Sequence, residues 1–286
     1  MNKVGFVGLG AMGYPIAEHI VKEGYELYFY ARRDEVIKKA RGFGGVFVPS
    51  IEEIGIWSDT VIILVNTYSQ CVECFSKLLT NMKKGTVVLS STVSPKEAST
   101  LGEMCMQKGV SLVDAPLSGG VKGAVEGNLT LMPSGNRLLI ESLTPLFKTF
   151  TKKIVYAGDK VGMGQTLKAL NQLLVGVHMT AVAETFTLGK KAGLDLQTIY
   201  EAITSSAGTS RILETRGKTL IDRDFSRRSS LNIQKKDFAV CEDLALENGA
   251  PFFLGSLCKQ FFELSANKFD PEEDISAIIK LYEEMS

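Results

Sequence analysis

Along roughly the first 157 residues, short apolar runs alternate with longer stretches of helical periodicity. The runs are KVGFVGL from Lys3, YELYFYA from Tyr25, VFVP from Val46, TVIILV from Thr60, TVVLSS from Thr86, VSLVDAP from Val110, LTLMPSG from Leu129 and KIVYAG from Lys153. Strands separated by helix-length segments predict βαβ units and a parallel, doubly wound sheet. A helix-start signal agrees: Ser94-Pro95 with Glu97 supplies a capping hydroxyl, a proline at the first helical position and an acid three residues after the cap. From Gly162 onward the strand pattern stops. Residues 164–192 read as one helix without internal proline, about 40 Å long, and further helices are expected over 195–205, 211–222, 231–248, 252–266 and 274–285. The expected fold is α/β: a doubly wound domain over 1–161, then a long interdomain helix opening an all-α domain over 162–286.

Composition adds boundaries to this picture. A chain of 286 residues is long enough for two domains. Its 32 basic side chains offset its 32 acidic ones, so no broad field draws it to nucleic acid or an anionic membrane surface. The start MNKVGFVGLGAMG contains no signal-peptide h-region, and the longest apolar stretch, Val61 to Val65, is far short of a membrane span. A soluble, cytoplasmic protein is expected. The five cysteines form an odd set, and Cys71-x-x-Cys74 lacks a second pair, so free thiols and no metal site are expected. With 27 glycines against 8 prolines, tight turns within an ordered fold are expected.

Several of those glycines carry chemistry. Gly8-Leu9-Gly10-Ala11-Met12-Gly13 follows the first strand and opens a helix with Pro15 in its first turn. In a G-x-G-x-x-G so placed, the first glycine permits a tight turn, the second admits a pyrophosphate, and the third lets helix and strand pack closely. The helix N-terminus adds N–H groups and a positive dipole end. This is the fingerprint of a Rossmann-type NAD(P) site. The second strand ends Tyr30-Ala31-Arg32-Arg33 with no carboxylate for a ribose 2′-hydroxyl, so Arg32 is read as a partner for a 2′-phosphate and NADP is favoured over NAD. Alternatively Arg32 covers the adenine, and Asp34 restores an NAD preference.

A second constellation reads Asp114-Ala-Pro-Leu-Ser118-Gly119-Gly120, at the carboxyl end of a predicted strand, where open α/β sheets bind ligands. Glycine N–H groups and the Ser118 hydroxyl suit a small anion. Then follows Gly162-Met-Gly-Gln-Thr-Leu-Lys168-Ala-Leu-Asn171-Gln172, in which Lys168, Asn171 and Gln172 share one helix face, expected to point toward the interdomain cleft. An ordinary lysine is protonated at neutral pH and can give a proton to a carbonyl being reduced; to serve as a base in oxidation its pKa must be depressed.

GFVGLGAMG, DAPLSGG, GMGQTLKALNQ and Lys236-Asp237 occur in the order and spacing of the β-hydroxyacid dehydrogenase family, and the chain resembles that family from end to end. The resemblance implies Lys168 as the catalytic residue, with Ser118, Gly119, Gly120 and Asn171 holding substrate. It implies cofactor contacts from Gly8 through Gly13, Val65, Asn66, Thr92 and Lys236, with Gln70 a lesser candidate. Asn171 through His178, SerAlaGlyThrSer and ArgSerSer look most like the L-threonate dehydrogenase branch, although Gln172 replaces the second Asn of a common pair and Ala31 stands where that branch usually carries an acid. A four-carbon sugar acid such as L-threonate, or 3-hydroxyisobutyrate, is the substrate expected. The alternatives are NADPH-dependent reduction of glyoxylate or a small semialdehyde and, from another class, a non-catalytic dinucleotide-binding scaffold, against which Lys168 argues. His178 reads as a satisfied core residue, and Arg223, Arg227, Arg228 and Lys235 as a solvated face. Leu167, Leu170, Leu174, Val177 and Ala181 form an apolar stripe suited to a homodimer or homotetramer.

Overall fold

The computed structural model describes residues 3–286. The chain divides into two compact units, Met1–Lys168 and Ala169–Ser286. In order, the first contains β1 (Lys3–Val7), α1 (Gly13–Lys22), β2 (Glu26–Tyr30), α2 (Asp34–Gly42), β3 (Val46–Phe47), α3 (Ile51–Trp57), β4 (Thr60–Ile63), α4 (Tyr68–Asn81), β5 (Thr86–Leu89), α5 (Pro95–Met106), β6 (Ser111–Asp114), β7 (Leu117–Ser118), α6 (Gly120–Val125), β8 (Leu129–Leu131), α7 (Arg137–Lys148) and β9 (Thr151–Ile154). Then α8 (Met163–Lys191) carries the chain into the second unit, followed by α9 (Leu196–Thr204), α10 (Arg211–Ile221), α11 (Leu231–Glu247), α12 (Phe253–Lys268) and, after a 3-10 turn at Ile275–Ile278, α13 (Ile279–Glu284).

Six strands form one parallel sheet in the order β3-β2-β1-β4-β5-β6. Helices cover both of its faces, which is why the central strands read as continuous apolar runs rather than alternating ones. Successive residues still part company by the strand's period of two. Val4, Phe6, Ile62, Val88 and Val113 join one buried cluster, whereas Val7, Val61, Ile63, Val87, Leu89 and Leu112 join the other.

The runs LTLMPSG and KIVYAG lie outside this sheet. They form β8 and β9 of a separate three-stranded sheet, in which the short β7 pairs antiparallel with β8 while β8 and β9 run parallel. Apolar periodicity marks a strand but not its neighbour, and β7 was too short to register as a run.

In the second unit, Met179, Ala183, Phe186, Leu220, Phe238 and Phe262 build a helical core. All five cysteines are buried and none forms a disulfide. Burial pushes the Cys105 and Cys241 thiols up to about 12 and that of Cys74 to about 11, so they are poor nucleophiles at neutral pH. Among the described residues, no helix is long and apolar enough to cross a membrane.

Candidate active site

The strand order places β1 beside β4 where the connections reverse direction, the position at which doubly wound sheets hold ligands beyond their strands' carboxyl ends. Gly8 leaves β1 with φ +108°, and a Cβ there would lie 2.0 Å from the Leu64 carbonyl oxygen. A Cβ on Gly13 would stand equally close, 2.0 Å, to the Gly8 carbonyl oxygen. Those two glycines are required by the protein's own backbone. Gly10 is different, since a Cβ there meets nothing within 4 Å. Nothing within the chain therefore demands glycine at this position, which suits an outside group lying against the loop. The cap residue of α1, Met12, makes no side-chain bond to the first turn, so no side chain competes there for an anion. Open space at Gly10 and this helix end together fit a dinucleotide pyrophosphate.

The neighbouring loops are fixed by side chains. After β4, the Val65 N–H donates to Ser91 Oγ at 2.7 Å. The Asn66 and Thr67 N–H groups donate to Gln70 Oε1 at 3.0 and 3.3 Å, while Thr67 caps α4 in return. Gln70, a lesser candidate for cofactor contact, thus spends its carbonyl oxygen on holding this loop. Arg32, just past β2, is exposed, and its charge reaches Glu73 on α4, whose carboxyl is held low chiefly by Lys77.

In the DAPLSGG segment, Asp114 ends β6 and Ser118 ends β7, where it sits opposite Thr130. Gly119 and Gly120 then take φ of +130° and +63° and open α6. Both glycines are exposed and Ser118 is half-buried. Their N–H groups sit in a backbone conformation that side-chain-bearing residues resist, next to a hydroxyl, an arrangement that can receive a carboxylate.

Sequence reasoning passed over Asp114, Ser134 and Gln165 as working residues. Asp114 has no accessible surface. Its Oδ2 accepts from the Gly162 N–H at 3.0 Å, the Gln165 N–H at 3.1 Å and the Ser134 hydroxyl at 3.0 Å, and its Oδ1 accepts from Gln165 Nε2 at 2.7 Å. Burial pushes the carboxyl up from its ordinary range, against the downward pull of those four donors. Ser134 Oγ also receives the Gly164 N–H at 2.9 Å. The start of α8 is consequently capped by side chains from β6 and from the loop after β8. Lys168, nine-tenths buried, follows Gln165 by three residues, just under one helical turn.

In the second unit, Asn171 Nδ2 donates to Gln172 Oε1 at 3.0 Å and Gln172 Nε2 donates to the buried Asp237 at 2.6 Å. The neighbouring Lys236 is exposed on α11. His178 is half-buried. Arg223, Arg227 and Arg228 pair with Glu283, Glu272 and Asp224, and Arg211 pairs with Glu214, so all four are engaged in surface ion pairs. The structure thus assembles Gly8 to Gly13, Arg32, Val65, Asn66 and Thr92 just beyond the carboxyl ends of β1, β2, β4 and β5; Asn171 and Lys236 belong to the other unit.

Residues 3–158 match the NAD binding domain of 6-phosphogluconate dehydrogenase, and residues 162–282 match the NAD-binding domain of NADP-dependent 3-hydroxyisobutyrate dehydrogenase. The chain is 32% identical to 2-(hydroxymethyl)glutarate dehydrogenase of Eubacterium barkeri, over 99% of its own length and 96% of the relative's. It is also 32% identical to L-threonate dehydrogenase of Cupriavidus necator, over 98% and 96% respectively. Its fold matches the crystal structure of 3-hydroxyisobutyrate dehydrogenase from Salmonella typhimurium with a TM-score of 0.91 at 30% identity, covering 98% of this chain and 100% of that one.

Proposed function

The chain belongs to the 3-hydroxyisobutyrate dehydrogenase family of NAD(P)-dependent hydroxyacid oxidoreductases, and from that premise we propose that it oxidises a four-carbon sugar acid of the L-threonate type, with Lys168 as the proton-transfer residue. The observation that carries this reading is Lys168 itself, buried on a helix whose start is anchored to Asp114 at the carboxyl end of the sheet. Residues 1–161 hold the dinucleotide, and residues 162–286 form the helical substrate and assembly domain.

Gly8 to Gly13 receive the pyrophosphate, the loops at Val65–Asn66 and at Thr92 flank the remainder of the cofactor, and Lys236 is assigned to the cofactor by the family resemblance. A nicotinamide held there would supply the hydride chemistry that interconverts the alcohol and the carbonyl. Ser118, Gly119 and Gly120 hold the substrate carboxylate through N–H and O–H donors. Lys168 Nζ takes the hydroxyl proton during oxidation and gives it back during reduction. Asn171 orients the reacting oxygen, its amide steadied by Gln172. Reduction of a small semialdehyde is the same chemistry reversed. The deciding measurement is turnover with NAD+ and NADP+, each offered threonate, 3-hydroxyisobutyrate, 2-(hydroxymethyl)glutarate and glycerate, with semialdehydes and NADPH in the reverse direction. Threonate should give the highest kcat/KM, and a preference of tenfold or more for another acid would reassign the substrate.

Arg32 is read as the partner of a 2′-phosphate, so NADP+ is the expected cofactor. Arg32→Asp should raise the KM for NADP+ at least about tenfold, the worth of one charge-assisted hydrogen bond, without raising that for NAD+. An unaltered KM for NADP+ would separate Arg32 from the phosphate.

A homo-oligomer is supported by α8. Leu170, Leu174 and Leu188 are 52%, 55% and 69% exposed, Ala181 is exposed and Val177 is half-buried, a seam with the three- and four-residue spacing of self-pairing helices. A second copy of the chain would cover it. Light scattering should return at least twice the 31.2 kDa chain mass, and Leu174→Glu with Leu188→Glu should reduce it toward one chain. A wild-type monomer would dispose of the assembly.

A further inference from the structure

Asp114 takes no part in binding or proton transfer in the reading above, although its carboxylate collects four donors in the interior. A helix normally satisfies its first N–H groups with its own cap residue. Here α8 draws on a strand residue 48 positions earlier in the chain.

The network continues outward through Gln165, which is fully buried. Its Nε2 also donates to the Ser91 carbonyl at 3.1 Å, and its Oε1 accepts from the Val93 N–H at 3.1 Å. These two backbone groups bracket Thr92. Ser91 in turn receives the Val65 N–H on its hydroxyl. The Val93 N–H can only donate and the Ser91 carbonyl can only accept, so Gln165 must turn its carbonyl oxygen to Val93 and its NH2 group to Ser91 and Asp114. The amide therefore has one permitted orientation. Five chain segments meet in this network: the loop after β4, the loop after β5, the end of β6, the loop after β8 and the first turn of α8.

We propose that Asp114 and Gln165 are positioning residues for the reaction. Through the Gln165 amide, the Asp114 carboxylate holds the helix turn that carries Lys168 in fixed register with the loops at Val65–Asn66 and Ser91–Val93. Lys168 Nζ is then delivered to the reacting hydroxyl without searching. The assignment rests on the reading of Lys168 as the proton-transfer residue.

The test is a double-mutant cycle. Gln165→Ala and Gln165→Met are prepared alone and with Lys168→Ala, and kcat, KM and NADPH affinity by fluorescence are measured on protein of native size by gel filtration. A residue acting through Lys168 matters only while Lys168 is present. With Lys168 intact, the Gln165 variants should lose at least about 30-fold in kcat, with KM for the hydroxy acid within about threefold. With Lys168→Ala the same changes should cost less than about twofold. Equal losses in both backgrounds would show a merely structural role and overturn the proposal, as would normal turnover in Gln165→Met. Gln165→Met nearly conserves volume and serves where the alanine cavity prevents folding; failure of both to yield cofactor-binding protein also counts against positioning. If Lys168→Ala itself turns over normally, the reading beneath the proposal falls. If Lys168→Ala is impaired and the Gln165 variants are normal, only the positioning role falls.

Discussion

Lys168→Ala is expected to lower turnover with a hydroxy acid at least about a hundredfold while NAD(P) binding persists. That loss corresponds to about 2.7 kcal/mol of transition-state stabilisation, a normal magnitude for one positioned acid–base group. Alanine is the best helix former, and the first turn of α8 is held by Asp114, Ser134 and Gln165, so the helix should survive. Lys168→Arg sharpens the result. Arginine keeps the positive charge but stays protonated, so it cannot exchange a proton with the reacting oxygen. If proton transfer is the role, Lys168→Arg should remain within about tenfold of Lys168→Ala. If Lys168 serves only as a charge, Lys168→Arg should recover most of the activity. Steady-state kcat beside fluorescence titration of NADPH decides between them, and near-normal turnover of Lys168→Ala would remove this residue from the chemistry.

The second large effect is expected in the glycine loop, where two glycines should fail in different ways. A side chain at Gly10 enters open space, so Gly10→Glu should fold with a melting temperature close to that of the parent. It would place a bulky anion where a pyrophosphate lies, and NAD(P)H affinity should fall at least about a hundredfold. At Gly8, even alanine brings Cβ to 2.0 Å from the Leu64 carbonyl oxygen at a φ of +108°. Gly8→Ala should therefore cost about 3 kcal/mol or more of stability before any cofactor is added. Thermal melts together with cofactor titrations separate the two. A Gly10→Glu protein that binds NADPH normally would mean that the loop is not the pyrophosphate site.

The parts of this protein that were legible in its sequence are those fixed by short-range rules. Gly8 and Gly13 announced a strand-to-helix turn because a side chain at either would collide with the backbone, and Ser94-Pro95 with Glu97 announced α5, where the capping box is present. The single helix over 164–192 is α8, Met163–Lys191, since no proline interrupts its pattern. The parallel sheet followed from apolar runs long enough to be buried on both faces. Less legible was the destination of LTLMPSG and KIVYAG, because a run of apolar residues does not name its partner strand and the two-residue β7 leaves no periodicity. Gln70, a lesser candidate for cofactor contact, also closes a capping box with Thr67 through its carbonyl oxygen, a local role that its spacing from Thr67 encodes.

What the sequence alone determined, then, was the order of elements, the dinucleotide loop and the four motifs shared with a family, since each depends on spacing within one or two turns. Only the tertiary structure decided how α8 is held. Asp114 and Gln165 are separated by 51 residues, and Gln165 and Ser91 by 74. No local pattern encodes a hydrogen bond across such distances, because the donors and acceptors become neighbours only after the sheet has formed. The same burial that removes these groups from water leaves each polar atom dependent on its partner, and so fixes one arrangement.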